Sequence, residues 1–386
     1  MENSPPVDRI SHLPDDILCR ILSFLPTKLA FTTTVLSKRW TPLYKLLTSL
    51  SFDDESVLDE DTFLRFCRFV DTVTFSTDLI KTLHLNCGSP NWKHFNLDLW
   101  IGTAKRHPVE NFNLVGTWRS IPLRPSIFRF PSLVVLKLKT LKIIVGNITV
   151  DLPLLKILHL DRVYLKNKTN FNKILYGCPV LEDLIANIYY KEPTPEPDEV
   201  FTLSKATATG EFKILPKLIR VQINADEVPF RAIHNVEFLA LTMRSRLPDP
   251  EINSYNILSP IFRNLILLQL CMYNFHHWDH VMEVLQHCPN IQVLRINKLS
   301  PDNINWKYPN FVPECISSHL RSCTINYEGR EDELRFTKYI LLNARLLGVM
   351  KINISHSSNP KPNRRILKEE LSSFPRISRK CKLSVS

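Results

Sequence analysis

Residues 133–160 read LVVLKLKTLKIIVGNITVDLPLLKILHL, and the fold turns on the two hexamers at the ends of this stretch. Leu133, Leu136 and Leu138 hold the first, fourth and sixth places of one hexamer. Leu155, Leu158 and Leu160 hold the same places of the other, 22 residues on. Side chains alternate between the two faces of a strand, so the last two leucines of each hexamer share a face and the residue between them takes the other. The same pattern starts at Ile80 and Val109 upstream and at Leu181, Leu218, Val236, Leu265 and Ile291 downstream.

One such hexamer says little, because any buried strand can produce it. Nine in succession, with starts 29, 24, 22, 26, 37, 18, 29 and 26 residues apart, match the period of about 20–29 residues at which a leucine-rich repeat supplies one strand and one return segment. Leu320, Cys323 and Ile325, then Leu347, Met350 and Ile352, extend the series by two units. Between those two, GREDELRFTKYILLNARLL (329–347) predicts a helix, with Glu331, Asp332 and Glu333 at its positive end and Leu334, Tyr339, Ile340, Leu342 and Leu346 for packing. The 37-residue gap carries a proline-rich, acidic and then small-residue stretch, read as an exposed insertion at about 189–211. The usual Asn after the strand is missing from most units, so the inner hydrogen-bond ladder must differ from the common one.

In such a repeat the apolar positions face the core and the residues between them line the open, concave sheet. That geometry nominates His84, Asn113, Lys137, His159, Asp161, Gln222, Asn224, Gln269, Arg295, Asn297, Thr324 and Lys351 as a target-binding face. Their mixed character suits a protein target better than a phosphate track, which needs mostly Lys and Arg, so nucleic acid is not the expected ligand.

The first fifty residues differ. In LPDDILCRILSFLP (13–26), Pro14 suits a first helical position, Asp15 and Asp16 suit the positive helix end, and Ile17, Leu18, Ile21, Leu22 and Leu25 recur at helical spacing. Pro26 stops that helix; Thr27 is the expected cap of a second over Lys28–Leu36, and a third begins near Ser37 or Thr41. Some forty residues cannot hide this many large apolar side chains alone, so a partner or the following domain must cover them.

The run DRISHLPDDILCRILSFLPTKLAFTTTVLSKRW (8–40) resembles the F-box of plant F-box proteins. The resemblance implies docking to the Skp-like linker of a cullin–RING ubiquitin ligase, with Leu13, Pro14, Ile17, Leu18, Ile21, Leu22, Leu25 and Pro26 making or supporting the contact. Val35, Leu36, Ser37, Lys38, Arg39 and Trp40 would complete the module. Thr32–Thr34 and Tyr44 depart from the family pattern, which often has Arg-Thr-Ser and Trp there. VPECISSHLRSCTINYEGREDELRFTKYILLNARLLGVMKI (312–352), closed by FPRISRKCKL, resembles the FBD domain that follows the repeats in the same plant proteins.

Composition narrows the function classes. The eight glycines lie at least fourteen residues apart, so the closely spaced glycines of GxGxxG or GxxxxGK phosphate cradles are absent. The nine cysteines are scattered, odd in number and never CxxC, which suits buried thiols in a reducing compartment. His276, His277, His280 and His287 beside Cys288 form the densest group of ligand types, but without HExxH or a second ligand pair they read as surface histidines of a return helix. No metal, cofactor or catalytic group is expected. Neither a secretory leader nor a membrane-length apolar run is seen, so the chain is expected in the nucleus or cytoplasm. The net charge is +11, and the segment from Lys351 onward holds nine Lys and Arg against Glu369 and Glu370.

The sequence therefore predicts an α/β chain with a flexible start at 1–7, a three-helix F-box at 8–54, a curved leucine-rich repeat solenoid at 75–300 and an FBD-like α/β segment at 310–386. Its expected role is a non-catalytic substrate adaptor joining an unknown target protein, through the linker, to cullin and RING subunits. The alternative is a protein- or nucleic-acid-binding scaffold that keeps the F-box fold without directing ubiquitination, an option motivated by the basic end and the altered Thr32–Thr34.

Overall fold

The computed structural model describes residues 10–57, 59–88, 97–117, 121–143, 148–190, 214–225, 227–228, 230–243, 260–273, 278–299, 305–354 and 363–386. The chain forms two compact units, Met1–Leu181 with Ile188–Lys191, and Glu182–Asn187 with Glu192–Ser386.

The first unit opens with helices α1 (Asp15–Ser23), α2 (Thr27–Thr32) and α3 (Trp40–Leu43), followed by strand β1 (Ser49–Asp53) and α4 (Glu60–Ser76). Then come β2 (Thr82–Asn86), α5 (Asp98–Ala104), β3 (Asn111–Val115), β4 (Ile121–Leu123), β5 (Val135–Ile143), β6 (Ile157–Leu165) and α6 (Lys168–Tyr176). Strands β1, β2, β3, β5 and β6 pair in parallel, each beside the next, and β4 pairs with the far end of β5. Two inward rows run straight across: Leu50, Leu83, Phe112, Leu136 and Leu158, then Phe52, Leu85, Leu114, Leu138 and Leu160. All ten are buried. At about 1.5–3 kcal/mol per large apolar side chain these rows dominate the unit's stability and hold its register, since a one-residue slip would put every one of them on the wrong face.

Beyond the rows, β5 and β6 kink together. Thr140 and Arg162 carry positive φ (54° and 56°), and pairing resumes at Leu141 and Val163. The kink shifts the alternation by one residue and puts Leu141 on the buried side. Gly116 lies against it, where a Cβ would meet the Thr140 carbonyl oxygen at 2.7 Å.

β7 (Asp183–Tyr190) is divided between the units. The second unit continues with β8 (Arg220–Asn224), β9 (Phe238–Met243), β10 (Leu267–Met272), α7 (Trp278–Gln286) and β11 (Val293–Lys298). It ends with α8 (Glu314–Ser318), β12 (Ser322–Tyr327), α9 (Glu331–Asn343), β13 (Val349–Ile354), α10 (Arg364–Ser373) and β14 (Lys382–Val385). All these strands are parallel and in sequence order. Leu184, Val221, Leu239, Leu268, Leu294, Cys323 and Met350 form one buried inward row, two residues before a second built from Ala186 to Ile352.

All eleven predicted repeat strands are present. Three strands were not predicted: β1, placed by sequence within the F-box, and β4 and β14. The expected insertion at 189–211 starts later, because Tyr189 and Tyr190 belong to β7, and the remainder lies outside the described residues. The second predicted helix is also shorter, with α2 ending at Thr32 and a 3₁₀ turn over Thr33–Val35. Thr27 does not cap it: Thr27 is the first helical residue, and its hydroxyl accepts from the Ser51 backbone N–H at 2.7 Å, fastening α2 to β1.

One ionic cluster interrupts the apolar interior of the second unit. Lys298, last in β11, turns inward and its Nζ donates to Asp332 Oδ2 at 2.8 Å, both side chains being essentially fully buried. The Trp278 indole Nε1 donates to the same oxygen at 2.8 Å, and the Trp278 ring stacks on Phe336 at 4.2 Å. Next to it, Glu333 Oε2 accepts from the backbone N–H groups of Glu328 and Arg330 at 3.0 and 3.1 Å, closing the start of α9. Burial pushes the Glu333 carboxyl up to about 7, against the opposing pull of those two N–H groups and of Lys298.

Two outcomes follow from this cluster. Lys298→Met leaves the Asp332 carboxylate buried without its cation, so unfolding in urea should show a loss of roughly 3–5 kcal/mol. Glu333 holds its proton more tightly folded than unfolded, so its contribution is fully present below about pH 4.5 and is lost as the pH rises through about 7. The urea midpoint should therefore fall from pH 5 to pH 8, and Glu333→Gln, which keeps an acceptor for both N–H groups, should flatten that slope.

Candidate protein-interaction faces

The N-terminal helices divide their apolar residues between two jobs. On α1, Leu18 and Leu22 point inward and are buried, while Ile17 and Ile21, one turn apart on the other side, are exposed with Leu25 beyond them. The same outer side carries Phe24, 78% exposed, and Leu29, Val35 and Leu36 follow. Nine of the 27 exposed large hydrophobic residues lie between Ile10 and Leu46, a concentration unlike the rest of the described chain. Under the module, Phe31 meets Tyr44 and Phe69 edge-on at 5.1 and 5.3 Å, and the Tyr44 hydroxyl lies 3.0 Å from Ser76 Oγ on α4.

These positions revise the sequence reading. Leu18 and Leu22 cannot touch a partner directly; they carry the helix that presents Ile17 and Ile21. Tyr44 is an interior residue, so its departure from the family pattern alters the seam with α4 and not the outer surface. Thr32 and Thr33 turn their hydroxyls onto the carbonyls of Leu29 and Ala30 at 2.8 and 2.6 Å. Arg39 is a clamp: its guanidinium donates to the carbonyls of Ser11 and Leu13 and to Asp15 Oδ1 at 2.5–2.9 Å, tying the segment before α1 to the turn before α3. Pro14, Pro26 and Lys38 are exposed, while Leu13 and Trp40 are half-buried. Phe24 and Leu29 were not nominated from sequence, although Phe24 lies seven residues after Ile17 and so on its face.

The open side of the first unit's sheet brings His84, Asn113, Lys137 and His159 into one row across β2, β3, β5 and β6. Asp161 stands in the next row, where Lys139 and Arg162 approach its carboxylate at 3.6 and 3.8 Å. In the second unit Gln222, Ala240, Gln269, Arg295, Thr324, Lys351 and Ser384 form the corresponding row. The following row holds Asn224, Thr242, Cys271, Asn297, Asn326 and Asn353. Asn353 Nδ2 donates to Asn326 Oδ1 at 3.1 Å and Ser386 Oγ donates to Asn353 Oδ1 at 2.9 Å, making a side-chain amide ladder on the open face. Asn326 and Asn353 were missed by sequence, yet the tripeptides RIN, TIN and KIN at 295–297, 324–326 and 351–353 carry the signal. Asn224 is a correction: it is buried, and its Nδ2 donates to Glu227 Oε1 at 3.3 Å, so it braces a turn and is closed to a target.

The histidine group gives no site that can be described. His276 and His277 lie outside the described residues, and among the described residues no three His, Cys, Asp or Glu side chains converge as metal ligands.

Three family profiles match in order along the chain. An F-box domain covers residues 10–41, the LRR repeats of FBD-associated F-box protein At5g56370 cover 97–194, and FBD covers 308–352. FBD-associated F-box protein At3g52670 of Arabidopsis thaliana is 31% identical over 97% of this chain and 97% of its own length. The chain belongs to the family of FBD-associated F-box proteins. F-box/FBD/LRR-repeat protein At4g00160 of the same plant is 29% identical over 97% of this chain and 93% of its own. For this F-box/FBD/LRR protein the profiles locate the exposed apolar surface in the F-box and the Lys298–Asp332–Glu333 partners around and within the FBD segment.

Because Lys cannot reproduce the guanidinium fork, Arg39→Lys should loosen the entrance to the F-box by about 1 kcal/mol. Amide hydrogen exchange should quicken across residues 11–18 while β2 and β3 stay protected.

Proposed function

We propose that the chain is the substrate-recognition subunit of an SCF-type ubiquitin ligase. The outer F-box surface docks a Skp-like linker and, through it, the cullin and RING subunits. The open sheet faces hold a target protein. What supports this most is the concentration of exposed apolar side chains on the F-box, centred on Ile17, Ile21 and Phe24, on a module whose own core is already filled by Leu18, Leu22, Ala30 and Leu43. A surface of that kind is stable in water when a partner covers it.

On this reading the chain performs no chemistry itself. It brings target lysines close to a charged ubiquitin-conjugating enzyme, an effect of proximity. Residence in the nucleus or cytoplasm is part of the same proposal and is compatible with nine free thiols. At the basic end Arg365 pairs with Glu369 at 2.9 Å and Arg376 bonds backbone carbonyls, so these two cations add little to the nucleic-acid alternative.

The test is capture of a Skp-type linker by the intact chain. Ile21→Asp with Phe24→Asp changes only exposed side chains and should weaken capture at least about thirtyfold, the loss expected for an interface hot spot, with the melting curve preserved. Failure of every linker isoform to bind the unaltered chain would defeat the adaptor reading.

A further inference from the structure

Strands β11 to β14 carry charge of one sign. Val293–Lys298, Ser322–Tyr327, Val349–Ile354 and Lys382–Val385 contain no Asp or Glu. Of their basic residues, Lys298 is buried against Asp332, whereas Arg295, Lys351 and Lys382 all project from the open face and are exposed. None of these three has an ion-pair partner among the described residues. Arg321, exposed at the entrance to β12, adds a fourth cation, and the nearest following acid, Glu328, lies past the end of that strand. The first unit's open face differs: Asp53 and Asp161 stand on it, and Lys139 approaches Asp161.

The cations sit in an ordered frame. Arg295, Thr324, Lys351 and Ser384 share one row, so Arg295 and Lys351 are separated by two strand spacings, about 10 Å. Lys382 is one strand farther, level with Val349. On one side of this row stand the amides of Asn297, Asn326 and Asn353; on the other lie the half-buried Val293, Ser322 and Val349. Hydroxyls and amides able to bond a peptide backbone, a narrow apolar strip and spaced cations together suit a polypeptide carrying carboxylates. A nucleic-acid backbone would want a denser row of cations, with aromatic side chains for its bases.

We propose that the open face of β11–β14 binds an extended, carboxylate-rich segment of the target protein, with Arg295, Lys351 and Lys382 as its counter-charges. The inference rests on the adaptor reading and adds the chemistry of what is selected. From β11 to β14 is about 14 Å, the reach of four or five extended residues, so a short acidic stretch is enough.

The experiment uses the full chain purified with its Skp-type linker and a fluorescein-labelled twelve-residue peptide of alternating Asp and Val, followed by anisotropy. Binding should weaken about tenfold or more between 50 and 300 mM salt, and should drop at least tenfold in Arg295→Glu/Lys351→Glu. Lys368→Glu, an exposed change on α10, should leave it unaltered. The matched Asn–Val peptide should bind at least tenfold more weakly. Equal binding of the Asn–Val peptide, indifference to the double charge reversal, or tighter binding of a twenty-nucleotide single-stranded oligothymidine at the same face would overturn the proposal. Linker capture reads the F-box alone, so a chain that captures linker yet ignores the acidic peptide sinks this inference and leaves the adaptor role standing.

Discussion

The repeat strands of both units place two apolar side chains inward at fixed register with their parallel neighbours, and most other features depend on that constraint. Strand spacing of about 4.8 Å stacks those side chains into continuous rows, and the rows leave alternate residues on the open face with no choice of direction. Leu136 and Leu138 hold Lys137 outward in the same way that Leu294 and Ile296 hold Arg295. Open-face residues are thus positioned by their apolar neighbours, and that face can vary without disturbing the core beneath it.

The second unit accepts one costly exception. At the end of β11 the inward place is filled by Lys298, where its neighbour Met272 on β10 is apolar. Removing an ammonium and a carboxylate from water costs several kcal/mol per ion, offset here by a short Lys298–Asp332 contact and by the Trp278 indole on the same oxygen. That arrangement joins β11, α7 and α9 through one atom. A hydrophobic substitute would pack against all three elements but would not select their relative placement in the same directional way.

The F-box shows how packing sorts chemically similar residues. Ile17, Leu18, Ile21 and Leu22 are equivalent by hydropathy, and spacing alone places them on one broad stripe. Packing against α3 and the 3₁₀ turn at Tyr44–Leu46 buries Leu18 and Leu22 and leaves Ile17 and Ile21 outside. Thr27, which sequence assigned to a helix cap, and Tyr44, noted there only as a departure from the family pattern, hold the module to β1 and α4. The F-box is built onto the start of the sheet within its unit.

By itself the sequence determined the repeat strands, the helix at 331–343 and the apolar excess of the N-terminal module, because each is written in local periodicity. It also carried the family resemblance through motif order. Short or unrepeated strands were not legible: β1, β4 and β14 pair only because a neighbouring edge is available. Which polar residue faces a partner was likewise a tertiary decision. Asn224 and Asn297 follow the same pattern, yet a turn contact from Glu227 closes one while the other stays on the open face. Asp332 and Lys298 stand 34 residues apart and look like ordinary surface charges; only the folding of α9 onto β11 makes them a buried pair. Periodicity tells which way a side chain points, and three-dimensional packing decides what it meets there.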